Sequence, residues 1–364
     1  MNVKNNFDSI YAVIKEQILR QEFIHGSLLP AEQVVADKFS VSRPTVAKVY
    51  NRLQAEGFVK KKKGQGTMVI HDNAKLPRTI GLLLPGAGES EIFSVINDQI
   101  LKLSESEEFI CLWDGATANN AGIRKMLMES CCDSYISKKV DGILFSPLER
   151  EGNSHELNKR ICDKIHAANI PVVLIDRDIL PFPERSGFDI VCLDNFGAGR
   201  IMTQHLIDKG CKVINFFYRP DSAGSVDYRL AGVRETVLKN KLPFTDANII
   251  CGNPEDTEVV EEMRIMAGKT GIVCANDSTA AVLMSTIESL NIRISKDVLI
   301  CGFDNMKYSK HLKRSLTTYE QPCVEIANIG IELIMRRIKN NHRPPVSVNL
   351  VGEKIEREST TFIS

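Results

Sequence analysis

The stretch LPAEQVVADKFSVSRPTVAKVYNRLQAEGFVKKKKGQGTMV, residues 29–69, contains two short helical patterns followed by a basic segment with two glycines. We expect Pro30 to open the first helix, with Val34, Val35 and Phe39 facing inward. After the turn Ser40–Ser42, Ser42 is a favourable N-cap for the second helix, which Gly57 ends. Its buried face consists of Val46, Val49, Tyr50 and Leu53. A helix, a turn and a helix ahead of a basic hairpin form the pattern of a winged helix-turn-helix that binds duplex DNA.

Flanking residues complete this pattern on both sides. Upstream, Ile10, Val13, Ile14, Ile18 and Leu19 recur at three- and four-residue steps, which predicts a scaffold helix over roughly Phe7–Gln21. Downstream, Phe58–Lys63 and Thr67–Ile70 are predicted strands around Gly64–Gln65–Gly66, a tip small enough to approach a minor groove.

The candidate DNA contacts are hydroxyl, amide and cationic side chains on the predicted helices and hairpin, which can reach phosphates or base edges. They are Gln33, Ser42, Arg43, Thr45, Lys48, Lys62, Lys63, Gln65 and Gly66. A helix-turn-helix also occurs as plain packing, and a lysine run is often only a solvated surface. The charge distribution favours the DNA-binding interpretation. Residues 1–72 hold 11 Lys and Arg against 7 Asp and Glu, whereas the remainder holds 35 against 39.

This region resembles the DNA-binding domain of the GntR family of bacterial transcription regulators. The resemblance is carried by LPAE at 29–32, VSRPTV at 41–46, LQAEG at 53–57 and GQGT at 64–67. It implies major-groove reading by Arg43 and its helix, phosphate contact by Thr45 and minor-groove insertion near Gly66. The family usually has arginine where this chain has Gln33 and Ala47. Gln33 can still read adenine with two hydrogen bonds.

Composition narrows the remaining possibilities. The chain of 364 residues is 43% hydrophobic, and it contains no apolar run of about 18 residues. Because its first residues are polar, we expect no signal peptide and a cytoplasmic protein without membrane contact. The ten cysteines include no Cys-x-x-Cys pair, and the histidines lack ligand spacing, so we expect reduced thiols, no metal and no cofactor.

A polar segment that ends in Pro77 predicts a linker. The predicted organisation is a DNA-binding domain at 1–72, a linker at 73–78 and a larger domain at 79–364. In the larger domain, apolar runs alternate with amphipathic stretches, which predicts an α/β fold of parallel sheets covered by helices. The predicted strands are Ile80–Leu84, Gly142–Phe145, Val172–Ile175, Ile190–Leu193, Val213–Phe217, Gly271–Ala275 and Val298–Phe303. The predicted helices are Leu157–Ala168, Gly199–Asp208, Ala231–Asn240 and Thr279–Leu290.

Polar residues follow four of these strands: Asp176, Asp194, Asn276 and Asp304. Because ligands of open α/β sheets bind beyond the carboxyl ends of the strands, we expect these side chains to converge on one crevice. Carboxylates and amides suit the hydroxyl groups of a polyol, which both donate and accept. Each of these residues also suits a helix N-cap, Asp194 most of all.

The larger domain resembles the effector domain of the LacI family, which shares its two-lobed fold with periplasmic sugar-binding proteins. The matching motifs include DGI at 141–143, IPVVLID at 170–176, DN at 194–195, RLAG at 229–232, AND at 275–277, GFD at 302–304, LTTYEQP at 316–322 and RES at 357–359. The resemblance implies a sugar cleft lined by Asp176, Ser225, Arg229, Asn276, Asp304 and Gln321. Arg229 would donate a fork to two ring oxygens. The sequence PGAG at 85–88 replaces the polar residue often found after the first strand, which leaves Glu89, Glu91 and Phe93 as weaker candidates. Trp113 could stack on a sugar, but packing is the stronger interpretation.

The predicted function is a sugar-responsive transcriptional regulator, a repressor that a monosaccharide releases from double-stranded operator DNA. A GntR-like head on a LacI-like body implies arabinose or a related pentose or deoxyhexose, and a homodimer. One alternative is a GntR-headed protein with an enzyme-like, cofactor-binding body. Against it, Gly268–Lys269–Thr270 lacks the first P-loop glycine because residue 263 is Met, and Gly197–Ala198–Gly199 lacks the third glycine of a dinucleotide motif. The other alternative is a transport-type sugar receptor.

Overall fold

The computed structural model describes residues 7–20, 22–62, 65–71, 77–86, 90–106, 109–113, 121–149, 154–263 and 265–361. The chain divides into two compact units, Met1–Pro77 and Arg78–Ser364. No helix within these described ranges is long and apolar enough to cross a bilayer.

The first unit contains the predicted helix-turn-helix and hairpin. Its elements are α1 (Phe7–Leu19), α2 (Glu32–Phe39), α3 (Arg43–Ala55), β1 (Val59–Lys62) and β2 (Gly66–Val69). The strands pair antiparallel, with Lys62 opposite Gly66. Helix α3 has Ser42 as its N-cap and ends ahead of Gly57, whose φ of +80° suits a residue without a Cβ.

Three details of this unit differ from the sequence prediction. Helix α2 begins at Glu32, two residues after Pro30. Val34 is 58% exposed because Val35, Ala36 and Phe39 form the inward face of this short helix. On α1, Val13 and Leu19 are about two-fifths exposed, so the buried stripe is narrower than expected.

The second unit has two lobes, each built on a six-stranded sheet. The amino-terminal lobe has the strand order β13-β7-β6-β5-β3-β4, and all of its strands are parallel. The carboxyl-terminal lobe has the order β14-β12-β11-β10-β8-β9, with only β14 antiparallel to its neighbour. All seven predicted strands are present, which confirms the α/β class. Strand bounds are β3 Arg78–Leu83, β4 Phe109–Leu112, β5 Gly142–Phe145, β6 Val172–Ile175, β7 Asp189–Leu193, β8 Val213–Tyr218, β9 Ile249–Cys251, β10 Thr270–Cys274, β11 Val298–Phe303, β12 Thr317–Glu320, β13 Ser347–Leu350 and β14 Glu353–Ile355.

Helices cover both sheets. Their bounds are α4 Glu91–Ser106, α5 Ala121–Ser137, α6 Ser154–Ala167, α7 Asn195–Asp208, α8 Gly224–Lys239, α9 Thr257–Glu261, α10 Asp277–Ser289 and α11 Cys323–Lys339. Helices α7 and α8 pack backbone against backbone at two glycines. A Cβ on Gly199 would lie 2.2 Å from the carbonyl oxygen of Arg229, and one on Gly232 would lie 2.2 Å from that of Phe196. This close packing fixes the position of Arg229 on α8.

In the described part of this unit, the chain passes between the lobes after β7, after β12 and after β13. These crossings contain Asp194, Gln321 and residues 351–352. Two of the residues that the sequence singled out therefore lie where the lobes are joined.

A buried ion pair within the amino-terminal lobe holds the segment between α11 and β13. Arg337 of α11 donates to both carboxylate oxygens of Asp189, at 2.6 and 2.7 Å. The same guanidinium donates to the carbonyl oxygens of Asn341, Arg343 and Pro344, and Asp189 accepts from the backbone N–H of Val346. These bonds pin the chain where it turns from α11 into β13.

Candidate functional site

The first unit presents the predicted recognition residues at its surface. Ser42, Arg43 and Lys48 are exposed on α3 or at its cap, and Thr45 is half-buried. The hydroxyl groups of Ser42 and Thr45 lie 2.9 Å apart and are hydrogen-bonded to each other. This end of α3 therefore offers hydroxyls and cations of the kind that contact a DNA major groove.

Glu32 links the recognition helix to the hairpin. Its carboxylate accepts from Arg43 Nε at 3.3 Å and from Lys61 Nζ at 3.1 Å. Although partial burial opposes it, the Lys61 and Arg43 partners hold the pKa of Glu32 below its ordinary value. Lys61 is thus engaged within the protein, unlike the exposed Lys62 beside it.

The other predicted DNA contacts lie on α2 and the hairpin. Gln33 is exposed and donates to Asp37 Oδ1 at 2.9 Å. Lys62, Gln65 and Gly66 are exposed, and Gly66 has a φ of +97°. Lys63 and Gly64 lie outside the described residues.

In the second unit, a cavity of about 260 Å³ lies between the lobes. All seven residues predicted to bind the effector line it: Phe93, Asp176, Ser225, Arg229, Asn276, Asp304 and Gln321. The strand-end residues among them are brought together because the strands of both sheets point their carboxyl ends at the same space. Asp176 and Asp304 have positive φ values of 73° and 105°.

Arg229 is buried and held by three elements. Its Nε donates to Asn195 Oδ1 at 2.8 Å, and its Nη1 donates to the carbonyl oxygen of Ala275. The guanidinium carbon lies 4.6 Å from the centre of the Phe303 ring. Because Nε is occupied, Arg229 cannot offer a ligand the side-on fork of Nε and Nη2. Its Nη2 lies 3.9 Å from Asp304 Oδ1, which is beyond hydrogen-bond distance, so the N–H groups of Nη2 remain available to a ligand.

Asp304 and Gln321 form a hydrogen-bonded pair on the cavity wall. Gln321 Nε2 donates to Asp304 Oδ1 at 2.7 Å. Gln321 Oε1 is buried and has no partner among the described residues. Burial raises the pKa of Asp304, whereas Arg229 and Gln321 act in the opposite direction. Asp304 Oδ2 and Gln321 Oε1 therefore remain as acceptors for hydroxyl groups.

Asn276 is both a helix cap and a cavity residue. It is the N-cap of α10, and its Oδ1 accepts from the backbone N–H of Thr279 at 2.9 Å. Its Nδ2 then remains as a donor toward the cavity.

The amino-terminal lobe contributes an ion pair that the sequence reasoning missed. Arg177 donates to Asp176 Oδ2 through Nε at 2.8 Å and through Nη2 at 2.5 Å, and its Nη1 lies 2.8 Å from Glu149 Oε2. Glu149 and Arg177 both line the cavity. Both follow strand ends, β5 and β6, so the strand-end rule could have found them.

Other missed cavity residues carry no such signal. Ser278 follows Asn276 in the first turn of α10, whereas Met306 and Tyr308 lie after β11 in a loop and a 3₁₀ turn, Lys307–Lys310. A loop has no periodicity that would indicate its direction.

Several weaker candidates lie elsewhere. Asp194 is the N-cap of α7, and its carboxylate accepts from the Gly197 N–H at 2.9 Å. It does not line the 260 Å³ cavity. Glu91 accepts from the backbone N–H of Lys307 and lines an adjoining groove, which shares Ile92, Asp304, Met306 and Gln321 with the cavity. Trp113 packs against the apolar core of the amino-terminal lobe. Glu89 lies outside the described residues.

Below the cavity, Asp277 is fully buried. It accepts from the Thr318 hydroxyl at 2.6 Å and from the Met306 N–H at 2.9 Å. Burial, together with the nearby Asp304 carboxylate, raises the pKa of Asp277 to about 8. Asp277 is therefore mostly protonated at neutral pH and adds little negative charge to the site.

All ten cysteines are free thiols, and seven of them are buried. Among the described residues, no group of three or more His, Cys, Asp or Glu side chains is arranged to hold a metal ion.

Comparison with known proteins matches each unit separately. The profile of bacterial regulatory proteins of the gntR family matches residues 6–69, and that of the periplasmic binding protein-like domain matches residues 203–360. The chain is 26% identical over 356 residues to the arabinose metabolism transcriptional repressor of Halalkalibacterium halodurans, covering 92% of this chain and 90% of that protein. It is 25% identical over 364 residues to the protein of the same name from Geobacillus stearothermophilus, covering 95% and 94%.

A solved structure with the same fold is a LacI family transcriptional regulator from Enterococcus faecium with bound ribose. Its TM-score is 0.61 at 21% identity, covering 79% of this chain and all of that one.

Proposed function

We propose that this chain, which joins a gntR-family DNA-binding region to a periplasmic binding protein-like domain, is a transcriptional repressor that a neutral monosaccharide releases from its operator. The single observation that carries this proposal is the 260 Å³ cavity, whose wall combines acceptors and donors from both lobes of the second unit.

The charges of the cavity favour a neutral ligand. Its wall holds two guanidinium groups, of Arg177 and Arg229, and three carboxyl groups, of Glu149, Asp176 and Asp304. Arg177 is already paired with two of these carboxylates, and Arg229 donates to Asn195 and Ala275. Asp304 lies 3.9 Å from Arg229, so each cation has a carboxyl group beside it, and the three carboxyl groups outnumber the two guanidinium groups. A phosphate group would therefore lack a free counter-charge there.

The cavity size favours a single ring. A volume of about 260 Å³ is slightly below the range of about 300–1,000 Å³ that is usual for drug-sized ligands. Arabinose, a related pentose or a deoxyhexose fits these limits. Both curated relatives reported above are named as repressors of arabinose metabolism, and the structural neighbour from Enterococcus faecium holds ribose.

The partner of the first unit is double-stranded operator DNA. The exposed end of α3 suits the major groove, and the basic hairpin with Gly66 at its tip suits phosphates and the minor groove. A homodimer would place two such units on two half-sites. Such a repressor works in the cytoplasm, where the operator is, and performs no catalysis.

The switch requires that the sugar binds one arrangement of the lobes more tightly than the other. Gln321 lies in a crossing between the lobes and bonds to Asp304, so a ligand that contacts both acts where the lobes are joined. Closure around the sugar would then change the geometry of the dimer and release the operator.

A thermal-shift screen of the full-length protein tests the ligand class. We expect L-arabinose, another pentose or a deoxyhexose to raise the melting temperature, and the rise should keep growing with the logarithm of the sugar concentration above Kd. The corresponding sugar phosphates should have no effect. Stabilisation by phosphates but not by neutral sugars would contradict the proposal.

A further inference from the structure

A second cavity of about 470 Å³ lies beside the polar one. Asp176, Arg177 and Ser225 line both cavities, so the two are adjacent. Much of the remaining wall of the second cavity is apolar. It includes Leu180, Phe182, Ile190, Leu193, Phe196 and Tyr228.

Three aromatic side chains, Phe182, Phe196 and Tyr228, contribute to this wall. Phe182 and Tyr228 meet edge to face, with ring centres 4.6 Å apart and planes at 83°. The guanidinium carbon of Arg185 lies 4.9 Å from the centre of the Tyr228 ring. Phe182 and Phe196 each remain almost two-fifths exposed, so considerable aromatic surface faces the cavity and solvent.

The acidic side chains of the second cavity are occupied. Asp178 accepts from the N–H groups of Leu180 and Ser186 at 3.0 and 3.1 Å, and Asp194 caps α7. Apart from the Ser225 hydroxyl and the Arg185 guanidinium, which lies over Tyr228, the groups left for a ligand are mainly ring faces and edges. Such surfaces favour an uncharged ring with an apolar face.

We propose that the second cavity receives the ring-shaped aglycone of a glycoside whose sugar occupies the polar cavity. This inference rests on the proposed function. Phe182 lies between β6 and β7 of the amino-terminal lobe, whereas Tyr228 lies on α8 of the other lobe. An aglycone that contacts both rings bridges the lobes and favours the closed arrangement more than the sugar alone does.

Calorimetric titration of the full-length protein tests this inference. The probes are L-arabinose, an arabinose disaccharide and a nitrophenyl arabinoside. We expect one of the two glycosides to bind at least about tenfold more tightly than arabinose, a difference of about 1.4 kcal/mol. A gain for the disaccharide identifies a second sugar as the aglycone, and a gain for the nitrophenyl compound identifies an aryl group.

Substitutions in the second cavity test whether this cavity causes the higher affinity for the glycoside. Tyr228→Leu should remove it and leave arabinose affinity within about twofold. Phe244→Leu, an aromatic residue of the same lobe that lines neither cavity, should keep it. If Tyr228→Leu also loses arabinose binding, Phe182→Leu on the opposite lobe gives the same test.

Arabinose binding without a gain for either glycoside, or a gain that survives both substitutions, would overturn this inference and leave the proposed function intact. Failure of every neutral sugar to bind would contradict both.

Discussion

Replacing Asp304 by Asn should abolish most of the sugar affinity without unfolding the protein. Asp304 Oδ1 accepts from Gln321, and an asparagine Oδ1 can still do so. The substitution turns the free Oδ2 acceptor into an NH₂ donor, which removes one charge-assisted hydrogen bond to a ligand hydroxyl. Such a bond contributes about 1.5–3 kcal/mol. We therefore expect Kd for the sugar to rise about 10- to 150-fold.

Asp194→Asn is the matched control for this prediction. Asp194 also follows a strand directly, but its carboxylate caps α7, and asparagine caps helices equally well. Isothermal titration of both variants with the sugar found in the thermal-shift screen gives the comparison. Wild-type affinity in Asp304→Asn, or equal losses in both variants, would refute the assignment of the polar cavity as the sugar site.

Three further predictions concern stability and DNA binding. Arg337→Met should destabilise the second unit by about 3–5 kcal/mol in urea unfolding because Asp189 is left buried without its partner. The control Arg336→Met, at a partly exposed position, should change stability by less than about 0.5 kcal/mol. Equal effects of the two substitutions would contradict this prediction. The raised pKa of Asp277 means that the native state keeps this proton up to about pH 8, whereas the unfolded state loses it near pH 4. Stability should therefore fall as the pH rises from about 4 to about 8, by up to about 1.4 kcal/mol per pH unit. Asp277→Asn should remove this fall, since the Thr318 hydroxyl can rotate to accept from the amide, and unchanged pH dependence of its urea midpoint would argue against a raised pKa. Arg43→Ala should weaken operator binding by about 1–3 kcal/mol and relax base preference at one position, whereas Lys62→Ala should lower the salt slope of binding by about one. Competition assays with mutated operators at several salt concentrations measure both effects, and an exchange of the two effects between the variants would contradict these roles.

The sequence predicted most of the fold because buried parallel strands consist of continuous apolar runs that few other structures share. The strand-end rule then placed Asp176, Asn276 and Asp304 on one cavity wall without any knowledge of the ligand. It misplaced Asp194, since a short carboxylate at the start of a helix can turn back to cap its own backbone.

The parts that sequence reasoning missed depend on tertiary packing. Val34 of α2 is exposed because only one side of a two-turn helix meets the core. Pairing of Lys61 with Glu32 joins residues that are distant in the chain, and no local pattern encodes it. Tyr308 reaches the cavity from a 3₁₀ turn, for which neither helical nor strand periodicity exists.

One titration of the full-length protein tests DNA binding by the first unit and sugar binding by the second together. A duplex selected from a random pool by the full-length protein is labelled, and its fluorescence anisotropy is followed as the sugar is added. We expect the sugar to release DNA from the wild type at concentrations near its Kd. Asp304→Asn should bind the same duplex normally and require about 10- to 150-fold more sugar for release. DNA binding that is unaffected by every sugar that binds the second unit would contradict this expectation.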